Sequence, residues 1–314
     1  MLKANKFPLL GSLLLLATGL ATSTTLAQQD AERAAEADIQ LPEGFQATLF
    51  SGDQLAHDIY CMTLDSAGRV VVCGRGYIRT LWDDDGDGRA DRYTTFLDGP
   101  AGGAQGMYFD GPDLLCVAGA GLVRYRDRDQ DGRADGDPEL LFKIKTGGEH
   151  HAHSIQRGPD GWWYLLAGNN AGLAVEQIDD SSSPIRQPRA GTLLRFSPDF
   201  KNRQVLADGY RNSYDFAFHP QGDVFVFDSD GERDVSLPWY RPTRVFQALI
   251  GSNAGWFSRS WKRPDYFFDC APVVGSFGRG SPTGVTCYRH THFPAEYHGA
   301  LLVLDWSFGR VIAL

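Results

Sequence analysis

The sequence predicts an all-β protein with a β-propeller architecture. Short apolar runs such as RVVVCG, LLCVAG and DVFVFD are each bounded by Gly, Asp or Pro, which is the pattern of short strands separated by turns. Two similar acidic strings, DDDGDGRAD and DRDQDGRAD, begin at Asp83 and Asp127, about 44 residues apart. A period of about 40 to 50 residues with four short strands per unit is typical of a propeller blade.

The first 40 residues precede this repeat. Residues 1–27 carry Lys3 and Lys6, then an apolar stretch, then small and polar residues, which is the layout of a cleavable secretory signal peptide. We expect cleavage near Ala27, a flexible polar leader over 28–40, and a periplasmic or secreted mature protein. No later apolar run approaches the length of about 20 residues that a membrane span requires, so we expect no integral membrane segment after cleavage.

The propeller domain is predicted over 41–314. Its first two units contain GRVVVCGRGYIRTLW and PDLLCVAGAGLVRYR, and the third runs from AHSIQRGPDGWWYLLAGN to NRQVLA. The fourth extends from NSYDFAFHPQGDVFVFDSD to TRVFQALI, and the fifth opens at TGVTCYRH. This division predicts about five blades with the last one incomplete, so we expect the domain to continue in a longer protein.

Charge and cysteine content restrict the partners. The formal net charge is −9 and no Lys/Arg-rich block is present, which argues against a nucleic-acid partner. The five cysteines include no C-x-x-C-H haem attachment motif. The segment CMTLDSAGRVVVC reads as a hairpin that places Cys61 opposite Cys73. A cross-strand disulfide and a pair of buried thiols are both compatible with that arrangement.

The two acidic strings fit the spacing D-x-D-x-D-G-x-x-D. Alternating carboxylates around a glycine turn favour a hard cation, so we interpret both strings as calcium loops, with solvated acidic turns as the alternative. Their twelfth positions, Thr94 and Pro138, lack the bidentate Glu of an EF-hand. The predicted metal ligands are Asp83, Asp85, Asp87 and Asp91 in the first string, and Asp127, Asp129, Asp131 and Asp135 in the second.

The segment GGEHHAHSIQ places three histidines within four positions. If a strand begins near Ala152, side-chain alternation puts His151 and His153 on one face and His150 on the other. The three imidazoles then cannot bind one ion together, and no further zinc ligand is evident in the sequence. We therefore do not expect a zinc site in this segment.

A different function follows from the position of this segment within its blade. The segments that enter the innermost strand of each blade meet at one rim of a propeller, around the central channel. Convergent polar side chains at such a concave surface predict a ligand site, with His150 as a general base facing Arg211. The alternative is that these two side chains only satisfy buried carbonyl groups at the blade junctions. The rim residues predicted in this way are His57, Asp58, Gln105, Glu149, His150, Arg211, Asn212, Ser281 and Thr283.

The order of several segments resembles a known superfamily. The segments EHHAHSIQRGPDGWWYLLAGN, GTLLRFSPD, GYRNSYDFAFHPQGDVFVFDSD, GSNAGWF and GALLVLDWSFGRV follow one another as in the glucose/sorbosone dehydrogenase superfamily of six-bladed propellers. LPEGFQATLF, DDDGDGRADR, LPWYRPTRV and GSPTGVT are most similar to the N-terminal propeller of planctomycete-type membrane-bound dehydrogenase-like proteins. The resemblance covers roughly residues 40–314.

This resemblance implies a function. It implies an exported dehydrogenase that oxidises a hydroxyl of a sugar or alcohol by hydride transfer to pyrroloquinoline quinone, with a cytochrome c-type electron acceptor. His150 matches the catalytic base of the quinoprotein sugar dehydrogenases, and Arg211 and Asn212 match the pair that contacts the quinone. Gln105, on the same rim, is expected to bind the cofactor as well. The alternative is a non-catalytic, calcium-stabilised propeller that binds carbohydrate or a protein partner.

Overall fold

The computed structural model describes residues 39–258 and 261–314. The predicted signal peptide and residues 28–38 of the predicted leader lie outside the described residues. The described part is almost entirely strand and turn, with three short 3-10 helices at Val175–Gln177, Glu232–Asp234 and Ala295–Tyr297. None of its helices has the length and apolar character needed to cross a membrane.

Five antiparallel sheets follow the repeat in sequence order. The first contains β1 (Cys61–Leu64), β2 (Val70–Gly74), β3 (Tyr77–Trp82) and β4 (Arg92–Leu97). The second contains β5 (Met107–Asp110), β6 (Asp113–Ala118), β7 (Gly121–Tyr125) and β8 (Glu139–Lys143). The third contains β9 (Ala152–Arg157), β10 (Trp163–Ala167), β11 (Gly191–Phe196) and β12 (Arg203–Tyr210).

The fourth sheet departs from this simple order. It contains β13 (Phe216–Phe218), β14 (Val224–Asp228), β15 (Arg244–Gln247) and β18 (Val273–Ser276), and the separate hairpin of β16 (Trp256–Ser258) and β17 (Trp261–Lys262) lies between the last two in sequence. The fifth sheet has three strands, β19 (Pro282–Cys287), β20 (Leu301–Asp305) and β21 (Arg310–Ala313). The all-β propeller with five blades is confirmed, whereas a sixth blade stays a prediction.

The innermost strand is the first strand of each sheet. β1 packs on β5, β5 on β9, and β13 on β19. The buried side chains agree with this arrangement, because separate apolar clusters fill the space between neighbouring sheets. Leu165 and Phe142 belong to the cluster between the second and third sheets. Removing such side chains from water is the main stabilising contribution to the blade stack.

The fourth blade was predicted to end near Ile250, and this boundary missed its outer strand. The described residues between β15 and β18, 248–258 and 261–272, belong to an insertion that folds back against the third blade. Gly251 donates its N–H to the carbonyl of Leu206, and Ala254 donates to that of Asp208. These bonds fix the hairpin of β16 and β17 at the rim, beside the segment that carries the three histidines.

The N-terminal segment spans the junction between the fifth and first blades. The ring of Phe45 packs edge-on against Phe293 and Tyr297, with ring centroids 4.8 and 5.0 Å away. Further along, the carbonyl of Phe50 accepts a hydrogen bond from Ala90 at 2.7 Å. The segment therefore contacts both blades without forming a strand over 45–52.

Candidate functional site

A cavity of about 340 Å³ opens on the rim where the innermost strands of the third and fourth blades begin. Its walls come from the turn before β9, the loop after β10, the loop before β13, the loop after β14 and the inserted hairpin. The lining residues are Glu149, His150, Asn169, Asn170, Arg211, Gly231, Glu232, Arg233, Asp234, Trp256 and Lys262. Two of the residues predicted for the cofactor and catalytic site, His150 and Arg211, are therefore brought together.

His150 lies in a tight turn that ends where β9 begins. Its side chain is 14% exposed, and its Nε2 lies 3.7 Å from Oε1 of Glu149. Its Nδ1 lies 2.5 Å from the Asn169 carboxamide. The backbone carbonyl of His150 accepts a hydrogen bond from Asn170 at 2.9 Å. One edge of the imidazole is thus held by protein, and the other faces the cavity.

Arg211 and Asn212 are positioned by a buried carboxylate at the end of β14. Asp228 accepts hydrogen bonds from both backbone N–H groups, and from the Ser213 hydroxyl at 2.9 Å. Burial raises the pKa of Asp228, and the hydrogen bonds from Arg211 and Ser213 oppose that rise. These hydrogen bonds to Asp228 therefore take the place of strand pairing, which residues 211–213 lack.

The guanidinium of Arg211 is already engaged within the protein. It donates to Ser229 Oγ at 3.0 Å and to Glu232 at 2.7 Å, and it lies 5.3 Å from the ring of Trp256. On the other side, the ammonium of Lys262 pairs with Asp234 and lies 4.8 Å from the same ring. The indole thus forms a wall between two cations, each of which has a carboxylate partner.

A second depression of about 730 Å³ continues from this cavity toward the fifth blade. It shares Glu149, Arg211 and Glu232 with the first cavity and adds Asn212 and Ser281 from the predicted rim. Trp306, in the turn after β20, forms its outer edge and is 78% exposed. The Ser281 hydroxyl lies 2.8 Å from that of Ser307. The described rim therefore offers two connected polar spaces, each with a tryptophan.

The structure does not bring every predicted residue into these spaces. Gln105 accepts a hydrogen bond from the Tyr214 hydroxyl at 2.7 Å and lines neither cavity. His57 contacts Asp58 at 3.4 Å, away from both, and Thr283 Oγ1 donates to the carbonyl of Leu304. The assignment of Gln105 as a cofactor-binding residue stays a prediction.

The other two histidines of the cluster have structural partners. His153 is fully buried, stacks on Tyr214 with ring centroids 4.4 Å apart, and donates from Nδ1 to the carbonyl of Ser213 at 2.9 Å. Burial lowers the pKa of His153, which favours its neutral form. His151 Nδ1 lies 3.0 Å from the carbonyl of Thr146. Among the described residues, no group able to hold a metal ion includes a histidine.

The two acidic strings form nearly identical loops at the β3–β4 and β7–β8 connections. Gly88 donates to Asp83 Oδ2 at 3.0 Å, and Gly132 donates to Asp127 Oδ2 at the same distance. In each loop three carboxylates offer oxygen atoms within 4.8 Å of one another: Asp83, Asp85 and Asp91 in the first, and Asp127, Asp129 and Asp135 in the second.

The fourth predicted ligand of each loop, Asp87 or Asp131, does not belong to its group of three. The side chains of Asp87 and Asp131 accept hydrogen bonds from the backbones of Arg89 and Arg133. Burial and the neighbouring carboxylates Asp131 and Asp129 raise the pKa of Asp127. Three convergent carboxylates per loop are a donor set that suits a hard cation.

Comparison with known proteins places the chain in a family. Residues 31–312 match the family described as "Domain of unknown function (DUF7133)". The chain belongs to this family. No curated protein matches the DUF7133 chain.

Solved structures share its fold. An aldose sugar dehydrogenase of Streptomyces coelicolor, determined in its PQQ-bound form, is 18% identical with a TM-score of 0.60, over 85% of this chain and 79% of that one. A putative oxidoreductase (glucose dehydrogenase) of Thermus thermophilus is 20% identical with a TM-score of 0.58, over 82% and 78%. A Trichoderma reesei enzyme of carbohydrate-active family AA12 is 12% identical with a TM-score of 0.58, over 84% and 76%. The likeness to sugar dehydrogenases is thus established for the fold.

The residues at the rim do not fit pyrroloquinoline quinone as they are arranged. The quinone is a tricarboxylate, and its binding calls for cations that are available to it. The lining of the first cavity balances three cations with three carboxylates, and Arg211 and Lys262 are each paired with one of those carboxylates. The two clusters of three aspartates that suit calcium lie in the β3–β4 and β7–β8 connections and not in this lining. We therefore derive no step through the quinone.

Most of the lining residues of the first cavity were not predicted from the sequence, among them Trp256, Lys262 and Asn169. Trp256 and Lys262 enter from the inserted hairpin, and no periodic pattern marks an insertion that folds back onto a neighbouring blade. The sequence does contain a pattern that indicates Asn169. It lies just after the second strand of its blade, and Asp228 and Asp305 are the last residues of the second strands of theirs. Asp305 accepts a hydrogen bond from Ser281 at 2.8 Å, as Asp228 does from Arg211. Comparing WWYLLAGN with VFVFD and LLVLD would have identified it.

Proposed function

We propose that the cavity beside His150 binds a sugar or a related polyhydroxy alcohol, and that the chain is a sugar dehydrogenase-like propeller. The supporting observation is the lining: polar groups of both hydrogen-bonding types surround the Trp256 indole, and the ionic groups balance in charge. Sugar hydroxyls both donate and accept hydrogen bonds, and the C–H faces of a sugar ring pack on aromatic rings. A neutral ligand also leaves the pairs of Arg211 and Lys262 intact.

Oxidation of the bound hydroxyl is the second candidate function. It is favoured by the adjacent side chains of His150 and Glu149, since an imidazole or a carboxylate beside a substrate hydroxyl can take the proton in dehydrogenation. The aldose sugar dehydrogenase of similar fold was determined in a PQQ-bound form, so a quinone is the acceptor to test first. The charge balance at the rim argues for binding without a quinone, so turnover must be tested separately from binding.

Calcium in the two acidic loops is a separate part of the proposal. Each loop gathers three carboxylates. Each loop also hydrogen-bonds to a segment earlier in the chain. Ala134 of the second loop donates to the carbonyl of Phe96 at 2.8 Å, and Ala90 of the first donates to that of Phe50. A cation that rigidifies these loops therefore stabilises the junctions on either side of the first blade. Export through the 1–27 signal and electron transfer to a cytochrome c-type partner remain proposals that rest on the sequence and its resemblance.

The experiment separates binding from turnover. Isothermal titration calorimetry with a panel of aldoses and sugar alcohols measures binding, and dye reduction with added quinone and Ca²⁺ measures oxidation. His150→Gln is compared with His292→Gln, which changes an exposed histidine in the β19–β20 connection. We expect at least one sugar to bind to the wild type and to His292→Gln, and the affinity of His150→Gln to fall about tenfold, which corresponds to the loss of one good hydrogen bond.

Each outcome has a distinct meaning. Sugar binding with quinone-dependent dye reduction supports the dehydrogenase form, whereas binding without turnover identifies a carbohydrate-binding propeller. If no sugar binds, or if His150→Gln binds as tightly as the wild type, the proposed site is wrong.

A further inference from the structure

The Asn169 carboxamide lies among three polar groups of different elements. Its two terminal atoms face Nδ1 of His150 at 2.5 Å, the carbonyl oxygen of Arg211 at 2.8 Å and the indole Nε1 of Trp256 at 3.2 Å. The indole nitrogen can only donate a hydrogen bond, and the carbonyl oxygen can only accept one. These two neighbours therefore determine which end of the amide carries the nitrogen.

Only one orientation satisfies all three contacts. With Nδ2 toward His150, the amide donates one hydrogen to the Arg211 carbonyl and the other to His150 Nδ1, while its Oδ1 accepts from Trp256. In the opposite orientation Oδ1 faces the Arg211 oxygen, and the amide N–H groups face the indole N–H. That arrangement keeps one hydrogen bond and creates two contacts between like groups. Buried polar groups are rarely left in such a state.

We propose that Asn169 is a positioning residue that holds neutral His150 in its Nε2–H tautomer. Since Nδ1 accepts a hydrogen bond from the amide, the ring proton must reside on Nε2. Glu149 supports the same assignment from the other side, because its carboxylate lies 3.7 Å from Nε2 and attracts an N–H rather than a lone pair. His150 therefore presents a hydrogen-bond donor to the cavity.

This tautomer changes the role of His150 in ligand binding. That consequence rests on the proposed function. A hydroxyl placed between His150 and Glu149 receives a hydrogen bond from Nε2 and donates its own hydrogen to the carboxylate. Such a pair of adjacent donor and acceptor recognises a neutral hydroxyl group. In this resting state His150 cannot take a proton at Nε2, so Glu149 is the acceptor of the hydroxyl hydrogen.

The tautomer can be measured without any ligand. Nitrogen-15 NMR of the labelled protein, at a pH where imidazole is neutral, distinguishes the protonated pyrrole-type ring nitrogen from the unprotonated pyridine-type one. The resonances of His150 are identified among those of the eight histidines by their loss in His150→Gln. We expect a pyrrole-type Nε2 and a pyridine-type Nδ1 in the wild type.

Two variants test the cause. In Asn169→Asp the carboxylate can only accept, so the proton should move to Nδ1 and Nε2 should become pyridine-type. Asn170→Asp introduces the same charge one residue away, where the side chain does not contact Nδ1 in the structure, and should keep the wild-type tautomer. If the chain proves to be a dehydrogenase, Asn169→Asp should raise turnover at neutral pH, because Nε2 becomes able to accept a proton.

The wild-type spectrum, assigned with His150→Gln, decides the inference even if Asn169→Asp fails to fold. A pyridine-type Nε2 in the wild type, or an unchanged tautomer in folded Asn169→Asp, overturns it and leaves the sugar-binding proposal standing. Conversely, the expected tautomer in a protein that binds no sugar supports this inference while the proposed function fails.

Discussion

Gly168 lies directly against the backbone of His150. A Cβ atom added at Gly168 would lie 2.8 Å from both the carbonyl carbon and the carbonyl oxygen of His150. Gly168 also donates its N–H to the carbonyl of His151 at 2.7 Å. The glycine after β10 therefore fixes the turn that presents the imidazole to the cavity.

Replacement of Gly168 by alanine should displace this turn. Because the opposing atoms are backbone, they cannot move aside as a side chain would, and we expect a stability loss of about 1–3 kcal/mol together with weakened sugar binding. Denaturant unfolding and calorimetry measure the two effects. Gly102→Ala is the control, since a Cβ there meets nothing within 4 Å. Equal behaviour of the two variants would contradict the close approach.

Calcium should stabilise the blade junctions through the two acidic loops. At a calcium concentration a hundredfold above its Kd, each occupied loop contributes about 2.7 kcal/mol. We expect a chelator to lower the melting temperature of the wild type by several degrees and to have no effect on Asp85→Ala with Asp129→Ala. Asp98→Ala, which changes an exposed aspartate outside the loops, should keep the chelator effect. A wild type that does not respond to chelation would identify the loops as turns only.

The Arg211–Glu232 pair should determine the charge of the preferred ligand. Glu232→Gln removes the carboxylate partner and leaves the Arg211 guanidinium free to pair with a ligand anion. We expect affinity for a uronate to rise by about fivefold to tenfold relative to the matching neutral aldose, as for a partly exposed ion pair. Competition calorimetry gives this ratio, and Glu296→Gln, at an exposed position in the β19–β20 connection, should leave it unchanged. No change in Glu232→Gln would show that charge balance does not select the ligand.

Stability should depend on pH through Asp228. Burial raises its pKa above the ordinary value of 3.8 in the folded state. A raised folded-state pKa means that the folded protein holds the proton more tightly than the unfolded chain does. The contribution of Asp228 is therefore fully present below 3.8 and is lost as pH rises through the raised pKa.

The measurement is urea unfolding at a series of pH values across that window. The free energy of unfolding should decline less with rising pH in Asp228→Asn than in the wild type, because the amide does not titrate. Asp98→Asn is the exposed control. An identical pH profile for wild type and Asp228→Asn would contradict the assignment.

The predicted pairing of Cys61 with Cys73 is confirmed in register. The two residues are cross-strand partners in the β1–β2 hairpin, and both are thiols in the structure. The backbone N–H of Ala104 donates to the sulfur of Cys73 at 3.1 Å, and the thiol of Cys61 donates to the carbonyl of Ala104 at 3.3 Å. Both sulfur atoms therefore contact Ala104, in the segment that leads into the second blade.

Oxidation should join this pair without rearranging the hairpin. Treatment with a mild oxidant should form a Cys61–Cys73 disulfide, detected by peptide mass mapping, and should raise stability by about 2–4 kcal/mol. Cys61→Ser should abolish the effect, whereas Cys270→Ser should preserve it. Oxidised protein in which Cys73 remains a free thiol would exclude the disulfide.

The sequence by itself determined the elements that depend on local pattern. The repeat of the acidic strings and the bounded apolar runs predicted the order of blades, because period and turn chemistry act within a few residues. The hairpin register at Cys61 and Cys73 followed from turn length in the same way. The rim position of His150 and Arg211 also followed, since each stands just before the first strand of its blade.

Only the tertiary structure decided what surrounds those residues. Trp256 and Lys262 reach the cavity from an insertion in the fourth blade that packs against the third, and a contact so distant in sequence leaves no periodic trace. The same holds for Asn169, whose orientation depends on the Arg211 carbonyl and on the Trp256 indole. The sequence specifies which hydrogen-bonding groups each residue carries. The tautomer of His150 and the charge balance of the cavity depend instead on which of these groups the fold places within about 3 Å of one another.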